Sequence, residues 1–321
     1  MKSIKKKRRK IIWHRLLILC LVILIPLYLF TPLREMTNYL FLPESTRNLL
    51  RLDYTLEEIN YFREYLDEDD IVLLANKEHQ ADLIKFIGAP NFCLNRLERY
   101  QNKFNDVEDH HRSVVLINLH ADIEHYSETI TVSNPNDLDV LVNKFYRLPA
   151  DFTPELVNMR PNLIQRTGLQ LRTEANDAFI RLTDAAREYN NYRIIAFSAF
   201  RSYQRQAEIY NNFVRTRGQE EADLVSARPG HSEHQTGLSL DVTRQIGRYD
   251  DFDETPEYRW LANNAHRFGF IIRYPKNTTY ITGYIYEPWH IRYIGVEIAT
   301  IIFNEGITLE EYFVIHRDLN C

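Results

Sequence analysis

The chain has 321 residues, 45% hydrophobic and 26% charged, which are the proportions of a protein that buries a core and exclude a disordered or collagen-like chain. The net charge of −5 hides an asymmetry: residues 1–33 hold Lys2, Lys5, Lys6, Lys7, Arg8, Arg9, Lys10 and Arg15 and no acid, and the other 31 of 39 basic side chains stand against all 44 acids. A body that acidic repels phosphate backbones, so the composition argues against a nucleic-acid partner.

Residues 1–10 form a basic tail, followed by an apolar run over residues 11–33 that only His14, Arg15, Thr31 and Pro32 interrupt. About 20 helical residues at 1.5 Å each span a bilayer core of ~30 Å. No Ala-x-Ala-like cleavage site follows, and Leu19 is too large for a lipoprotein site at Cys20. The pattern predicts a single-pass anchor in the lipid bilayer at 11–33. The positive-inside rule leaves the basic tail in the cytoplasm and sends the rest outside the cell. Cys20, Cys93 and Cys321 show no metal-ligand spacing. A Cys93–Cys321 bridge stays open, while so low a count favours unpaired thiols.

Residues 34–132 read as a mainly helical extracellular region. Thr55-Leu-Glu-Glu58 is a capping-box pattern ahead of Leu56, Ile59, Tyr61, Phe62 and Leu66, and a second helix is expected near residues 94–104. Each is followed by acids and an apolar run, a hint of an internal repeat. His110, His111, His120 and His125 read as scattered surface histidines. The turn cluster Ser133-Asn-Pro-Asn-Asp137 predicts a domain boundary, with a second domain over 133–305 and a helical tail over 306–321. In that domain Leu171, Ala175, Ala178, Phe179, Leu182, Ala185, Ala186 and Tyr189 recur at helical spacing, and Asn190-Asn191 ends the stripe. Residues 192–200 are strand-like, 203–215 helical, and Thr255-Pro256 to Gly269 frame another helix. The alternation predicts an α+β fold with a small, mostly antiparallel sheet flanked by helices.

The chemistry concentrates in two stretches. In Gly230-His-Ser-Glu-His-Gln-Thr-Gly-Leu-Ser-Leu-Asp-Val-Thr243, the residues after Gly237 alternate with the period of a half-buried strand. Asp241 therefore faces away from Leu238, Leu240 and Val242. In Tyr286-Glu-Pro-Trp-His-Ile-Arg-Tyr293, Pro288 implies a sheet edge or a bulge beside Glu287 and His290. His234, Asp241 and His290 suffice for one catalytic Zn2+ per chain with an open position, and Glu287 is the natural general base for the attacking water. His231, three residues before His234, is a weaker ligand candidate. The joint pattern Ser-x-His-x-x-Gly-x-x-x-Asp arises by chance on the order of once in several hundred to a thousand chains of this length.

These motifs, Ser232-x-His234-x-x-Gly237-x-x-x-Asp241 with Glu287-Pro-Trp-His290, resemble the VanY-type D-alanyl-D-alanine carboxypeptidases. That family sits in the zinc peptidase group that includes the lysostaphin-like enzymes and the hedgehog zinc fold. The likeness runs over about 134–304 and includes Ala227-Arg-Pro-Gly230 and Ile281-Thr-Gly-Tyr284. It implies zinc on His234, Asp241 and His290, catalysis by Glu287, and a peptidoglycan stem peptide as substrate. It places the substrate-carboxylate arginine on Arg201, in Ser198-Ala-Phe-Arg-Ser202 where the family has Gly and Tyr before the arginine. Ser232, Gln206 and Tyr274 match further substrate-lining positions. A guanidinium offers a bidentate fork to a free carboxylate, as a carboxypeptidase requires. An L,D-carboxypeptidase, a D,D-dipeptidase or endopeptidase, and a non-catalytic wall-binding protein are the alternatives. A binder has no need of a base three residues from a ligand.

Overall fold

Strand-forming alternation at Ser239-Leu-Asp-Val-Thr243 and an aromatic and β-branched run at Glu287–Tyr293 build the centre of a sheet. The computed structural model describes residues 39–244, 249, 251–317 and 319. The basic tail and expected anchor at 1–33 lie outside these residues. Among the described residues no helix is long and apolar enough to cross a membrane.

The chain divides into two compact units, one up to Gly88 and one from Ala89 onward. Among the described residues of the first, helices α1 (Glu44–Arg51), α2 (Leu56–Tyr65), α3 (Glu68–Leu74) and α4 (Leu83–Ile87) bury Leu49, Ile59, Phe62, Ile71 and Leu74. The capping box forms as expected: Glu58 N donates to Thr55 Oγ1 at 3.1 Å, and Thr55 N donates to Glu58 Oε2 at 2.8 Å.

The second unit begins 44 residues before the boundary expected at 133. Its helices α5 (Leu97–Val107) and α6 (His110–Asn118) pack on each other. Val115, Leu116 and Leu119 of this region share a buried cluster with Ile281 and with Val314 of the last helix, α13 (Leu309–His316). Asn91 Nδ2 donates to the carbonyls of Val314 and Arg317 at 2.6 and 2.7 Å. Local turn chemistry at 133–137 is real, but apolar residues upstream need partners downstream of it. Cys93 is buried and disulfide-bonded, which corrects the expectation of free thiols; its partner lies outside the described residues.

The main sheet comprises β5 (Ile195–Ser198), β6 (Ser239–Thr243), β7 (Phe270–Tyr274) and β8 (Glu287–Tyr293), all antiparallel, in the order β5-β6-β8-β7. Two short pairs, β1 (Ile130–Thr131) with β2 (Tyr146–Arg147) and β3 (Val157–Asn158) with β4 (Gln170–Leu171), lie outside it. The fold is thus mixed helix and sheet, with small sheets that are antiparallel except for the parallel β1–β2 pair. One face of the main sheet, with Leu240, Val242, Phe270 and Ile291, packs on helix α7 (Thr173–Asn190) through Ala175, Ala178, Phe179 and Leu182. Each of the larger buried side chains contributes about 1.5–3 kcal/mol. Asn191 ends α7 in the left-handed region, at φ 54°. Helix α8 (Tyr203–Arg217) follows β5, capped by Ser202 Oγ accepting from Arg205 N at 3.2 Å. Helices α9 (Gln219–Val225), α10 (Pro256–Asn264), α11 (Thr279–Thr282) and α12 (Val296–Glu305) complete the unit.

The tail at 306–321 is no appendage, because Glu310 of α13 is buried against Arg273 of β7. Removing one partner of such a pair costs about 3–5 kcal/mol, against a total domain stability of about 5–15 kcal/mol. A fragment of residues 133–305 is therefore expected to show no cooperative urea transition, whereas residues 89–321 unfold cooperatively. Equal midpoints for the two would place the boundary back at 133.

Candidate metal and peptidase site

Three strands bring the ligand set together by register. Asp241 of β6 pairs with His290 of β8 on one side and with Ser198 of β5 on the other. Because Leu240, Val242 and Ile291 face the core, Asp241, His290 and Arg292 share the opposite face. Pro288 lies in an interior strand, and the bulge alternative holds: between the pairs Ile272–Ile291 and Tyr274–Glu287 the β8 side carries two extra residues. That irregularity turns both Glu287 and His290 toward the site.

His234 arrives from the 3-10 turn Glu233–Thr236, which Gly237 ends at φ 69°. A Cβ at Gly237 would stand 3.0 Å from Leu156 Cδ2 and 3.1 Å from Arg172 Cγ, so both the backbone angle and the packing require glycine. His234 Nδ1 donates to the Ala199 carbonyl at 2.7 Å, which leaves Nε2 facing Asp241 Oδ2 at 3.3 Å. His290 Nδ1 lies 2.9 Å from Asp241 Oδ1. His234, Asp241 and His290 are buried and offer ligand atoms all within 4.8 Å of one another. Two imidazoles and a carboxylate fit zinc by donor type, and the hydrogen bond fixing the His234 tautomer fits a ligand held ready for a cation.

Burial alone would raise the Asp241 carboxyl, yet the charge of His234 and hydrogen bonds from both histidines hold it well below the usual range. Burial lowers the His234 imidazole, helped by Arg201. His290 is pushed up to about 9: burial opposes the proton, but the hydrogen bond to Asp241 and the facing Glu233 carboxylate outweigh it. The pair of carboxylates thus draws positive charge to this point, which a proton or a metal can supply. Glu287 Oε2 lies 3.9 Å from His290 Nδ1. Burial pushes its carboxyl up to about 7, with Asp241 adding to the rise and His290 and Arg201 opposing it.

Arg201 sits at the end of β5, where Nη1 donates to Gln206 Oε1 at 2.7 Å and Nη2 donates to Ser198 Oγ at 3.0 Å. Gln206 is itself fixed by donating to the Ala227 carbonyl at 2.6 Å. Nη2 also stands 3.8 Å from Asp241 Oδ2, so the guanidinium faces the site. Gln206 orients the arginine from behind and does not line the cleft. Ser232 and Tyr274 do line it, together with Arg201, Glu287 and the ligand set. The cleft holds about 250 Å³, with Phe197, Phe213 and Trp289 on its apolar side. A larger cavity of about 630 Å³, between residues 118–146 and 310–319, contains none of the ligand set. His231 does not join the ligands: its Nδ1 donates to the Asn143 carbonyl at 2.7 Å.

Sequence reasoning missed Glu233, Arg273 and Arg292, all fully buried beside the set. Arginines inside the apolar strands Phe270–Tyr274 and Glu287–Tyr293 were the available signal, since a buried guanidinium needs a carboxylate partner.

Comparison with known proteins agrees with this arrangement. Residues 168–296 match the family model described as VanY, D-alanyl-D-alanine carboxypeptidase. The "Putative carboxypeptidase YodJ" of Bacillus subtilis (strain 168) is 41% identical over 199 residues, covering 60% of this chain and 72% of that protein. The D-alanyl-D-alanine carboxypeptidase of Enterococcus faecalis (strain ATCC 700802 / V583) is 38% identical, covering 54% of this chain and 64% of the relative. The solved structure of the LdcB LD-carboxypeptidase, described for peptidoglycan recognition, superposes with a TM-score of 0.56 at 39% identity. It covers 60% of this chain and 92% of its own. The chain belongs to the VanY carboxypeptidase family. It is a carboxypeptidase, and its ligand set is the metal centre to be tested.

The full chain is expected to take up one zinc ion, and His234→Ala and His290→Ala to lose it. Elemental analysis of purified protein checks this, and a metal-free but active wild type would contradict it.

Proposed function

We propose that this chain is a zinc-dependent D,D-carboxypeptidase that removes the terminal D-alanine from peptidoglycan stem peptides. The observation that carries the reading is the convergence, in one small cleft, of a buried His-Asp-His set, a carboxyl tuned near neutrality and an anchored guanidinium. His234, Asp241 and His290 would hold a zinc ion, which would supply a Lewis acid for the scissile carbonyl and the attacking water. Glu287 takes the proton of the attacking water and returns it to the leaving amine. Arg201, oriented by Gln206 and Ser198, receives the terminal carboxylate. The apolar side formed by Phe197, Phe213 and Trp289 suits a methyl side chain, and a cleft of about 250 Å³ suits one small residue beyond the cut bond. Ser232 and Tyr274 line the same space and are assigned to substrate contact.

A second reading, an L,D-carboxypeptidase acting on the tetrapeptide, is favoured by the likeness to LdcB, of which the match covers 92%. Peptides ending in D-Ala-D-Ala and in a single D-Ala after an L-centre separate the two by relative kcat/KM. For location, we propose that residues 11–33 anchor the chain in the bilayer with the catalytic unit outside the cell, on the strength of the basic block preceding that apolar run.

Glu287→Gln is expected to keep zinc and lose turnover by several orders of magnitude; loss of the metal instead would make Glu287 a ligand. Arg201→Ala removes a charge-assisted bidentate contact of a few kcal/mol, so kcat/KM should fall on the order of a hundredfold with zinc retained. Wild-type enzyme should reject C-terminally amidated peptides. Equal cleavage of amidated and free peptides would make the protein an endopeptidase.

A further inference from the structure

We infer that Glu233 is a positioning residue for the metal set, and that the buried cluster Glu233, Arg273, Arg292 and Glu310 makes α13 part of the site. This rests on the zinc reading above.

Glu233 lies between Ser232 and His234 in the 3-10 turn and is 1% exposed. Its two oxygens face different groups. Oε1 accepts from Arg273 Nε at 2.7 Å and from Arg292 Nη1 at 3.0 Å. Oε2 accepts from Ser239 Oγ at 3.2 Å and stands 3.5 Å from His290 Nε2. That nitrogen is buried and makes no hydrogen bond, so Glu233 is the carboxylate facing an otherwise unpartnered ring atom. The other nitrogen of the same ring, Nδ1, is the one turned to Asp241. A histidine presents one nitrogen to a metal reliably when an acceptor holds the proton of the other, and the acceptor's charge raises its basicity.

The carboxylate is itself held from behind. Arg292 Nη2 donates to the carbonyls of Leu138 and Val140 at 2.9 and 3.0 Å. Arg273 forms a double bond pair with Glu310 of α13, Nη1 to Oε2 at 2.8 Å and Nη2 to Oε1 at 2.6 Å. Asn143 Nδ2 adds a contact to Glu310 Oε1 at 3.3 Å. The cluster is neutral as a whole, two guanidiniums with two carboxylates, yet it leaves one oxygen of Glu233 directed at His290. A purely structural ion cluster has no need of that last contact, since apolar residues of like volume often stabilise as well. The chain of contacts runs from the C-terminal helix through Arg273 and Glu233 to His290.

The test uses the full-length protein and zinc alone. By chelator competition, Glu233→Gln is expected to bind zinc ten- to a hundredfold more weakly than wild type, and Glu310→Gln to weaken it by a smaller factor in the same direction. Long-range proton–nitrogen NMR of zinc-loaded, histidine-labelled wild type should show His290 carrying its proton on Nε2. Wild-type protein that binds no zinc overturns the metal reading and this inference with it. Wild type that binds zinc while folded Glu233→Gln binds as tightly overturns this inference alone. If Glu233→Gln does not fold, the spectrum decides: an unprotonated His290 Nε2 overturns the inference, and a proton there upholds it.

Discussion

Four carboxylates, Glu233, Asp241, Glu287 and Glu310, lie against the non-core face of a four-stranded sheet, all but Glu287 almost wholly out of water. A carboxylate taken out of water is tolerated only where positive charge or hydrogen bonds replace its hydration. Glu233 and Glu310 are matched by Arg273 and Arg292, so that half of the face is balanced. Asp241 and Glu287 are left with Arg201 and two histidines. With neutral imidazoles this half is one positive charge short. That deficit sits between His234 Nε2, His290 Nδ1 and Asp241, where a divalent cation would restore balance and leave a positive excess.

The sheet register makes the deficit local. Antiparallel pairing sets Asp241 beside His290, and burial of Leu240 and Ile291 on the core side forbids a one-residue slip, which would turn the ligands into the core. The two extra residues on β8 then swing Glu287 to the same cleft as His290. Arg201 enters from the neighbouring strand end, and its backbone N–H donates to the His234 carbonyl at 3.2 Å. Arg201 and His234 are therefore tied through one short stretch of main chain.

Much of this was legible in the chain. The period-2 alternation after Gly237 placed Asp241 opposite the leucines, the stripe on α7 marked the core helix, and Pro288 signalled an edge or a bulge, of which the structure has the bulge. The parts that were not legible depend on contacts distant in sequence. Glu233 is one residue from a ligand, yet its role depends on Arg273 and Arg292, 40 and 59 positions away. The turn cluster at 133–137 is a local signal, whereas the packing of Val115 and Leu116 on Val314, which joins residues on both sides of it, is not. The Cys93 disulfide was equally invisible, since spacing along a chain says nothing of approach in space.

The central claim is that the His-Asp-His set and Glu287 hydrolyse a single terminal residue from a wall peptide. Mass spectrometry of muropeptides incubated with zinc-loaded and with chelator-stripped protein tests it most directly. The account predicts that pentapeptide stems lose the mass of one alanine with the loaded protein, that the stripped protein leaves them intact, and that zinc restores the loss. Release of a dipeptide, or equal release by the stripped protein, would contradict it.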